Sequence, residues 1–185
     1  MDRETFARFY RETASALRAY LRLRCRNTAL ADDLLQEAYL RMLRRELPDL
    51  DAGPLRAYLY KSAQSALADH YRALRRETQW KAEHTSQSAA DSAELGNVSA
   101  LDGRPALDPL ELPPDMQRIF DTLKAKQKTL LWLAYVEGFK HQEIAEVIGV
   151  STSSVRVLLS RARADLAAKL GDRDRARCTA RKEAK

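Results

Sequence analysis

The chain has 185 residues, 45% of them hydrophobic, with only 6 Gly and 6 Pro, and its 32 Lys and Arg against 26 Asp and Glu give a net charge of +6. This composition excludes a fibrous or wholly disordered chain and fits a helical, globular protein of one or two small domains. The basic excess favours a polyanionic partner, although it also describes many ordinary soluble surfaces.

From Glu4 to Leu23, the residues Phe6, Phe9, Tyr10, Thr13, Leu17, Tyr20 and Leu21 recur at helical spacing. From Leu30 to Arg45 a second helix is expected. Leu30, Leu34, Leu35, Ala38, Tyr39 and Met42 fall on one side of it, and Asp33, Gln36, Glu37, Leu40, Arg41 and Arg44 on the other. The first face is core and the second is free to bind.

Pro54 suits the first turn of a third helix, which is expected to run to about Glu77. Its buried stripe is read as Leu55, Leu59, Ala63, Ala66, His70 and Leu74. Tyr60, Lys61, Gln64, Ala68, Tyr71, Arg72, Arg75 and Arg76 project elsewhere and mix aromatic rings with cations. Such a surface either stacks bases and tracks phosphates or is a solvated helix whose rings pack on neighbours.

Between Thr78 and Asp108 the sequence turns to Ser, Ala, Asp and Gly without a sustained apolar period. It reads as a tether between two helical lobes, or as a long loop docked through Trp80 and Leu95. The second lobe then begins at Pro114, which opens a helix holding Met116, Ile119, Phe120 and Leu123. A further helix is expected over Lys126 to Glu137, ended by Gly138, and a third over Gln142 to Ile148, ended by Gly149.

In the last helix Val155, Leu159, Ala162 and Leu166 recur at intervals that face the lobe interior, with Leu158 on the flank. Ser153, Arg156, Val157, Ser160, Arg161 and Ala164 lie on the open side, and Ser151 or Thr152 can cap the start. A short helix, a turn with glycine and a longer helix bearing small polar and cationic residues describe a helix-turn-helix that enters the DNA major groove. Arg161 and Arg163 add to that reading, and Arg156 can bond guanine or phosphate.

These residues resemble a known family. "ADDLLQEAYLRML" is similar to the D-L-x-Q-E-x-F-L-R pattern of region 2 in bacterial sigma factors, and "PLRAYLYKSAQSALADHYRALRRE" resembles the promoter-melting helix that follows it. "LLWLAYVEGFKHQEIAEVIGVSTSSVRVLLSRARADL" resembles region 4. Order and linker match the compact extracytoplasmic-function (ECF) group. The resemblance implies an all-α protein with region 2 over 1–77, a linker over 78–109, region 4 over 110–170 and a basic tail over 171–185.

By the same resemblance the protein would bind core RNA polymerase and direct it to promoter DNA. Asp33, Gln36, Glu37, Leu40 and Arg41 become the polymerase contact, and Tyr60, Lys61, Gln64, Ser65, Arg72 and Arg75 the minus-10 contact. Thr152, Ser153, Ser154, Arg156, Val157, Ser160 and Arg161 would read the minus-35 element. An anti-sigma factor is an expected partner, and a cytoplasmic location follows.

The sequence departs from the family pattern at several places. Ser65 stands where Asn is frequent and Tyr58 where Trp is common, which bears on the captured base. Leu123-Lys124-Ala125 replaces Leu-Pro-Pro and predicts a more continuous helical junction. Lys140 occupies the usual Ser/Thr capping position, at a cost of about 1 kcal/mol, and Leu158 replaces a frequent Arg and is expected to pack.

Other features carry less. His70, His84 and His141 are scattered, so neither a metal nor a cofactor is expected. Cys25 and Cys178 lie far apart, which indicates no disulfide framework and suits a reducing compartment. Cys25, between Arg24 and Arg26, is either a structural thiol or one with a lowered pKa. No signal peptide or membrane-spanning run is visible. A two-domain helix-turn-helix regulator acting without polymerase is the rival binding reading. A recombinase would need strands and a catalytic cluster that the sequence does not offer, so no enzyme is expected.

Overall fold

A computed structural model describes residues 2–45, 51–84 and 114–183, and among them all regular structure is helical. Helix α1 spans Arg3–Cys25, α2 Thr28–Leu43 and α3 Ala52–His84. In the second lobe α4 spans Pro114–Asp121, α5 Ala125–Leu131, α6 His141–Ile148 and α7 Thr152–Glu183.

Local chemistry sets the helix ends. The Asp2 carboxylate accepts from the Thr5 N–H at 2.8 Å and starts α1, and the Asn27 side chain accepts from the Leu30 N–H at 3.0 Å and starts α2. Between them Arg26 adopts a left-handed backbone, φ 52°, and closes α1 by donating its N–H to the Arg22 carbonyl. Helix α3 begins two residues before Pro54, which still lies in the first turn, where its missing N–H costs no helical hydrogen bond. It continues to His84, so residues 78–84 of the expected tether are helical, while 85–113 lie outside the described residues and Leu95 with them.

The first three helices pack as a bundle around Leu17, Leu21, Leu34, Leu35, Ala38, Met42, Leu59 and Ala63, all buried. Apart from Tyr10 of α1, which is exposed, the apolar stripes expected for α1 and α2 are there. That of α3 is shifted. His70 and Leu74 are exposed, whereas Ala57, Tyr60 and Leu67 are buried, because the last turns of α3 extend beyond the ends of α1 and α2. Tyr39 is held by a hydrogen bond to the Thr13 hydroxyl at 2.6 Å, and Phe6 meets its ring edge-on.

The junction over Leu123-Lys124-Ala125 is not continuous. Lys124 is extended, φ −64° and ψ 148°, and separates α4 from α5 without prolines. Its N–H is taken by the Gln127 side chain at 2.9 Å, so the break is stabilised from within α5. Helix α5 then widens at Trp132–Val136 into a π turn, in which the Glu137 N–H reaches the Trp132 carbonyl at 3.1 Å. The sequence pattern contains no sign of this turn.

Before α6 the Lys140 side chain, an ammonium that cannot accept, makes no cap, but Glu143 accepts from the Lys140 N–H at 2.7 Å. Half of a capping box therefore remains. Gly149 ends α6 with φ 67° and donates to Ala145, and the sharp turn to α7 follows directly. Val155, Leu159 and Ala162 of α7 are buried against α5 and α6, with Leu158 packed on the flank as expected. Helix α7 runs on to Glu183, through most of the stretch read as a tail.

The two lobes do not stand apart. Helix α3 packs along α6, and the buried side chains of both lobes form one cluster that passes through Tyr20, Tyr60, Trp132 and Phe139. No helix among the described residues is long and apolar enough to cross a membrane.

Candidate nucleic-acid and polymerase interfaces

Three surfaces carry the residues singled out by sequence. The first is the outer face of α2. Asp33, Gln36 and Leu40 are exposed there, Leu40 to 44%. Glu37 and Arg41 are half-buried for a specific reason: Arg41 donates to Glu37 at 2.7 Å and, across to α3, to Asp69 at 2.9 Å and the Ser65 hydroxyl at 3.3 Å. The Arg41 guanidinium pKa is raised further by these carboxylates. Asp69 also pairs with Arg72 at 3.0 Å. One ion-pair network thus joins residues assigned by sequence to two different partners.

The second surface is α3. Lys61, Ser65, Arg72 and Arg75 are exposed along it, as are Ala68, Tyr71 and Arg76. Tyr60 is not. Its ring is only 1% exposed and lies between the lobes, edge-on to Tyr20 at 5.2 Å and to Phe139 at 5.6 Å. The expectation that Tyr60 projects outward is therefore corrected for this arrangement: helix α3 has a second neighbour, α6, that the apolar period of α3 alone did not reveal. Gln64 is half-buried beside it and donates to the Val147 carbonyl at 3.4 Å.

The third surface is the start of α7. Ser151 accepts from the Ser154 N–H at 3.3 Å and caps the helix, which answers the choice between Ser151 and Thr152. Thr152, Ser153, Arg156, Val157, Ser160 and Arg161 are exposed, and Ser154 is half-buried against the cap. Val157 is 51% exposed in the middle of this polar and cationic strip. An aliphatic group so placed can meet a thymine methyl while its neighbours bond base edges and phosphates.

Two residues matter that the sequence reading passed over. Glu137 has a side chain only 5% exposed, and its carboxylate accepts from the Tyr60 hydroxyl at 2.8 Å and from the Arg56 guanidinium. Arg56 also donates to the Glu137 carbonyl at 3.1 Å and lies over the Phe139 ring at 5.1 Å. The Trp132 indole N–H donates to the Tyr60 oxygen at 3.3 Å and completes the chain. Burial and the neighbouring Glu137 charge push the Tyr60 phenol well above its usual pKa, so it stays a donor. The available signal was an acid set inside the apolar run "LLWLAYVEGF".

Residues 9–77 match the family described as sigma-70 region 2, and residues 111–166 match sigma-70 region 4. The chain belongs to the sigma-70 family. Among named relatives it is similar to the ECF RNA polymerase sigma factor BldN of Streptomyces coelicolor, 26% identical over 92% of this chain and 62% of that one. It is also similar to the ECF RNA polymerase sigma factor SigD of Mycobacterium tuberculosis, 31% identical over 71% of this chain and 59% of that one. The sigma chain thus spans less than two thirds of either relative. In fold it resembles the sigma factor RpoE of Bartonella quintana, solved in complex with the anti-sigma factor NepR, with a TM-score of 0.65 and 21% identity over 91% of this chain and 98% of that one.

In sigma terms, region 2 is the bundle of α1 to α3 and region 4 is the lobe that ends in the helix-turn-helix of α6 and α7. The half-buried Cys25 lies in region 2. Burial raises its thiol pKa, outweighing Arg24, and the thiol donates to the Leu21 carbonyl. That shift runs opposite to the lowered value its flanking arginines would give.

Proposed function

We propose that this sigma-70 family member binds core RNA polymerase and directs it to promoters with two recognition elements, acting as an initiation factor without catalysis of its own. Region 2 takes the minus-10 element along α3, and region 4 takes the minus-35 element with the first turns of α7. Asp33, Gln36 and Leu40, with the Glu37 and Arg41 pair, form the polymerase contact. The reading is carried by the open face of α7, where Ser153, Arg156, Val157, Ser160 and Arg161 are all exposed directly after the helix-turn-helix turn. Small side chains there allow close approach to the duplex, and the arginines supply donors.

The division of labour has a physical basis. A duplex can be read intact in its major groove, whereas melted DNA needs stacking rings and cations to hold unpaired bases and their phosphates. Each lobe alone binds weakly, and their linkage on one polymerase raises the effective concentration of the second at its site. An anti-sigma protein is proposed as a further partner, supported by the likeness to a sigma factor solved with one. Work on the polymerase sets the site of action in the cytoplasm.

Run-off transcription with core polymerase and a genomic promoter library tests the proposal. Start sites sharing a two-part upstream motif are expected. No stimulation by folded, inhibitor-free protein would exclude it.

A further inference from the structure

An acid buried to 5% exposure needs strong donors, and Glu137 finds them on the other lobe in Arg56 and the Tyr60 hydroxyl. The π turn at Trp132–Val136 ends directly before it. Arg56 and Tyr60 belong to the helix that also carries Lys61, Gln64 and Arg72. A guanidinium fork beside a hydroxyl suits a phosphate diester as well as it suits a carboxylate. In this arrangement both donors are engaged by region 4, Tyr60 is 1% exposed, and the Gln64 amide is spent on the Val147 carbonyl.

From this geometry we infer that Arg56 and Tyr60 form an anion site for a backbone phosphate of single-stranded DNA, and that Glu137 of region 4 fills that site from within the same chain. Closure of the lobes and binding of the strand then exclude one another. Beside the shared apolar cluster of Tyr20, Tyr60, Trp132 and Phe139, the other polar contacts across the seam are Arg26 to Asp121 at 3.1 Å, Tyr20 to Thr129 at 3.0 Å, Gln64 to the Val147 carbonyl at 3.4 Å and the Trp132 indole to Tyr60 at 3.3 Å. Gly53 also passes close to Glu143, where a Cβ at position 53 would lie 2.6 Å from the carboxylate. The Glu137 side chain, 5% exposed, both draws the lobes together and imitates the ligand. The inference rests on the proposed role of α3 in DNA binding.

The test uses the full chain and a fluorescein-labelled single-stranded DNA of mixed sequence, followed by anisotropy at one fixed salt concentration, with small-angle scattering to report lobe separation. Glu137→Gln is expected to expand the particle and tighten strand binding about tenfold, because the population with the site free rises. Adding Arg56→Gln to Glu137→Gln should return affinity to the starting level. Gly53→Glu opens the seam by repelling Glu143 without touching the site, and it should reproduce the gain even where Glu137→Gln does not fold. A gain that survives Arg56→Gln would overturn the site. Expansion without a gain would overturn it too, and failure of both variants to expand would overturn the closure. Run-off transcription by the unaltered protein separates the readings: stimulation without a strand-binding gain removes only the anion site, and a gain without stimulation removes only the sigma function.

Discussion

Arg41 of α2 reaches Asp69 of α3 at 2.9 Å while holding Glu37 on its own helix, so the proposed polymerase face and the proposed minus-10 helix share one guanidinium. At 31% exposure this network contributes modestly to stability, about 1 kcal/mol or less per pair. Its larger effect is to fix where Ser65 and Asp69 stand relative to α2. Arg41→Ala should therefore leave the thermal melt nearly unchanged while lowering run-off transcription by about tenfold, since about 1.4 kcal/mol of lost alignment corresponds to that factor. A large drop in melting temperature with full transcription per folded molecule would reverse this assignment.

The outer face of α2 can be tested without disturbing that network. Asp33 and Leu40 are both exposed and belong to no buried cluster, so Asp33→Lys with Leu40→Ala should change stability by no more than about 0.5 kcal/mol. Affinity for core polymerase, measured by titration of labelled protein, is expected to fall at least about tenfold, because an aliphatic anchor and a complementary charge are lost together. Undiminished affinity would move the polymerase contact elsewhere.

On α7, Arg156 is exposed one turn after the Ser151 cap, in the position to reach a base edge. Arg156→Ala should cost about 1 to 3 kcal/mol at the minus-35 element and relax preference at one base pair. Arg161→Ala, farther along the helix, should weaken all promoters about equally and lessen the salt dependence. Footprinting of the holoenzyme on a set of single-base promoter variants distinguishes the two. Identical patterns for both variants would refute the division.

Alkaline pH offers a readout of packing in region 2. Burial lifts the Tyr39 phenol from its usual value of 10 to about 12, so the folded state keeps its proton where the unfolded state has lost it. This contribution to stability is complete below the unfolded value and is lost as pH rises from about 10 through about 12. Tyr20 and Tyr60 are shifted in the same direction by burial and add to the slope. Tyr39→Phe should cost about 1 kcal/mol at neutral pH through the lost Thr13 hydrogen bond, and its melting temperature should then fall less steeply in alkali. An unchanged slope would show that Tyr39 does not report the transition.

Most helices were legible because each carries its own period and its own punctuation. Pro54, Gly138 and Gly149 mark ends in the sequence, and the stripe from Leu34 to Met42 could bury itself only as one face of a helix, whereas the capping Asp2 and Asn27 were passed over. The open face of α7 was legible for the same reason: once Val155, Leu159 and Ala162 are assigned inward, Arg156 and Ser160 have only the outside left. The break at Lys124 was not legible, since a lysine shows no preference that announces an extended backbone, and the Gln127 side chain that stabilises it acts at a distance of three residues.

By itself, then, the sequence determined most of the helices, the inward faces of α2 and α7 and the family to which the chain belongs, because these depend on residues near one another along the chain. Tertiary structure alone decided that α3 has a second buried edge, that Tyr60 is a seam residue and that Glu137 is its partner 77 positions away. Periodicity records that a side chain avoids water; it does not record which neighbour replaces the water. For a charged group such as Glu137 only the neighbour's donors make burial possible, and those are supplied by a distant segment of the fold.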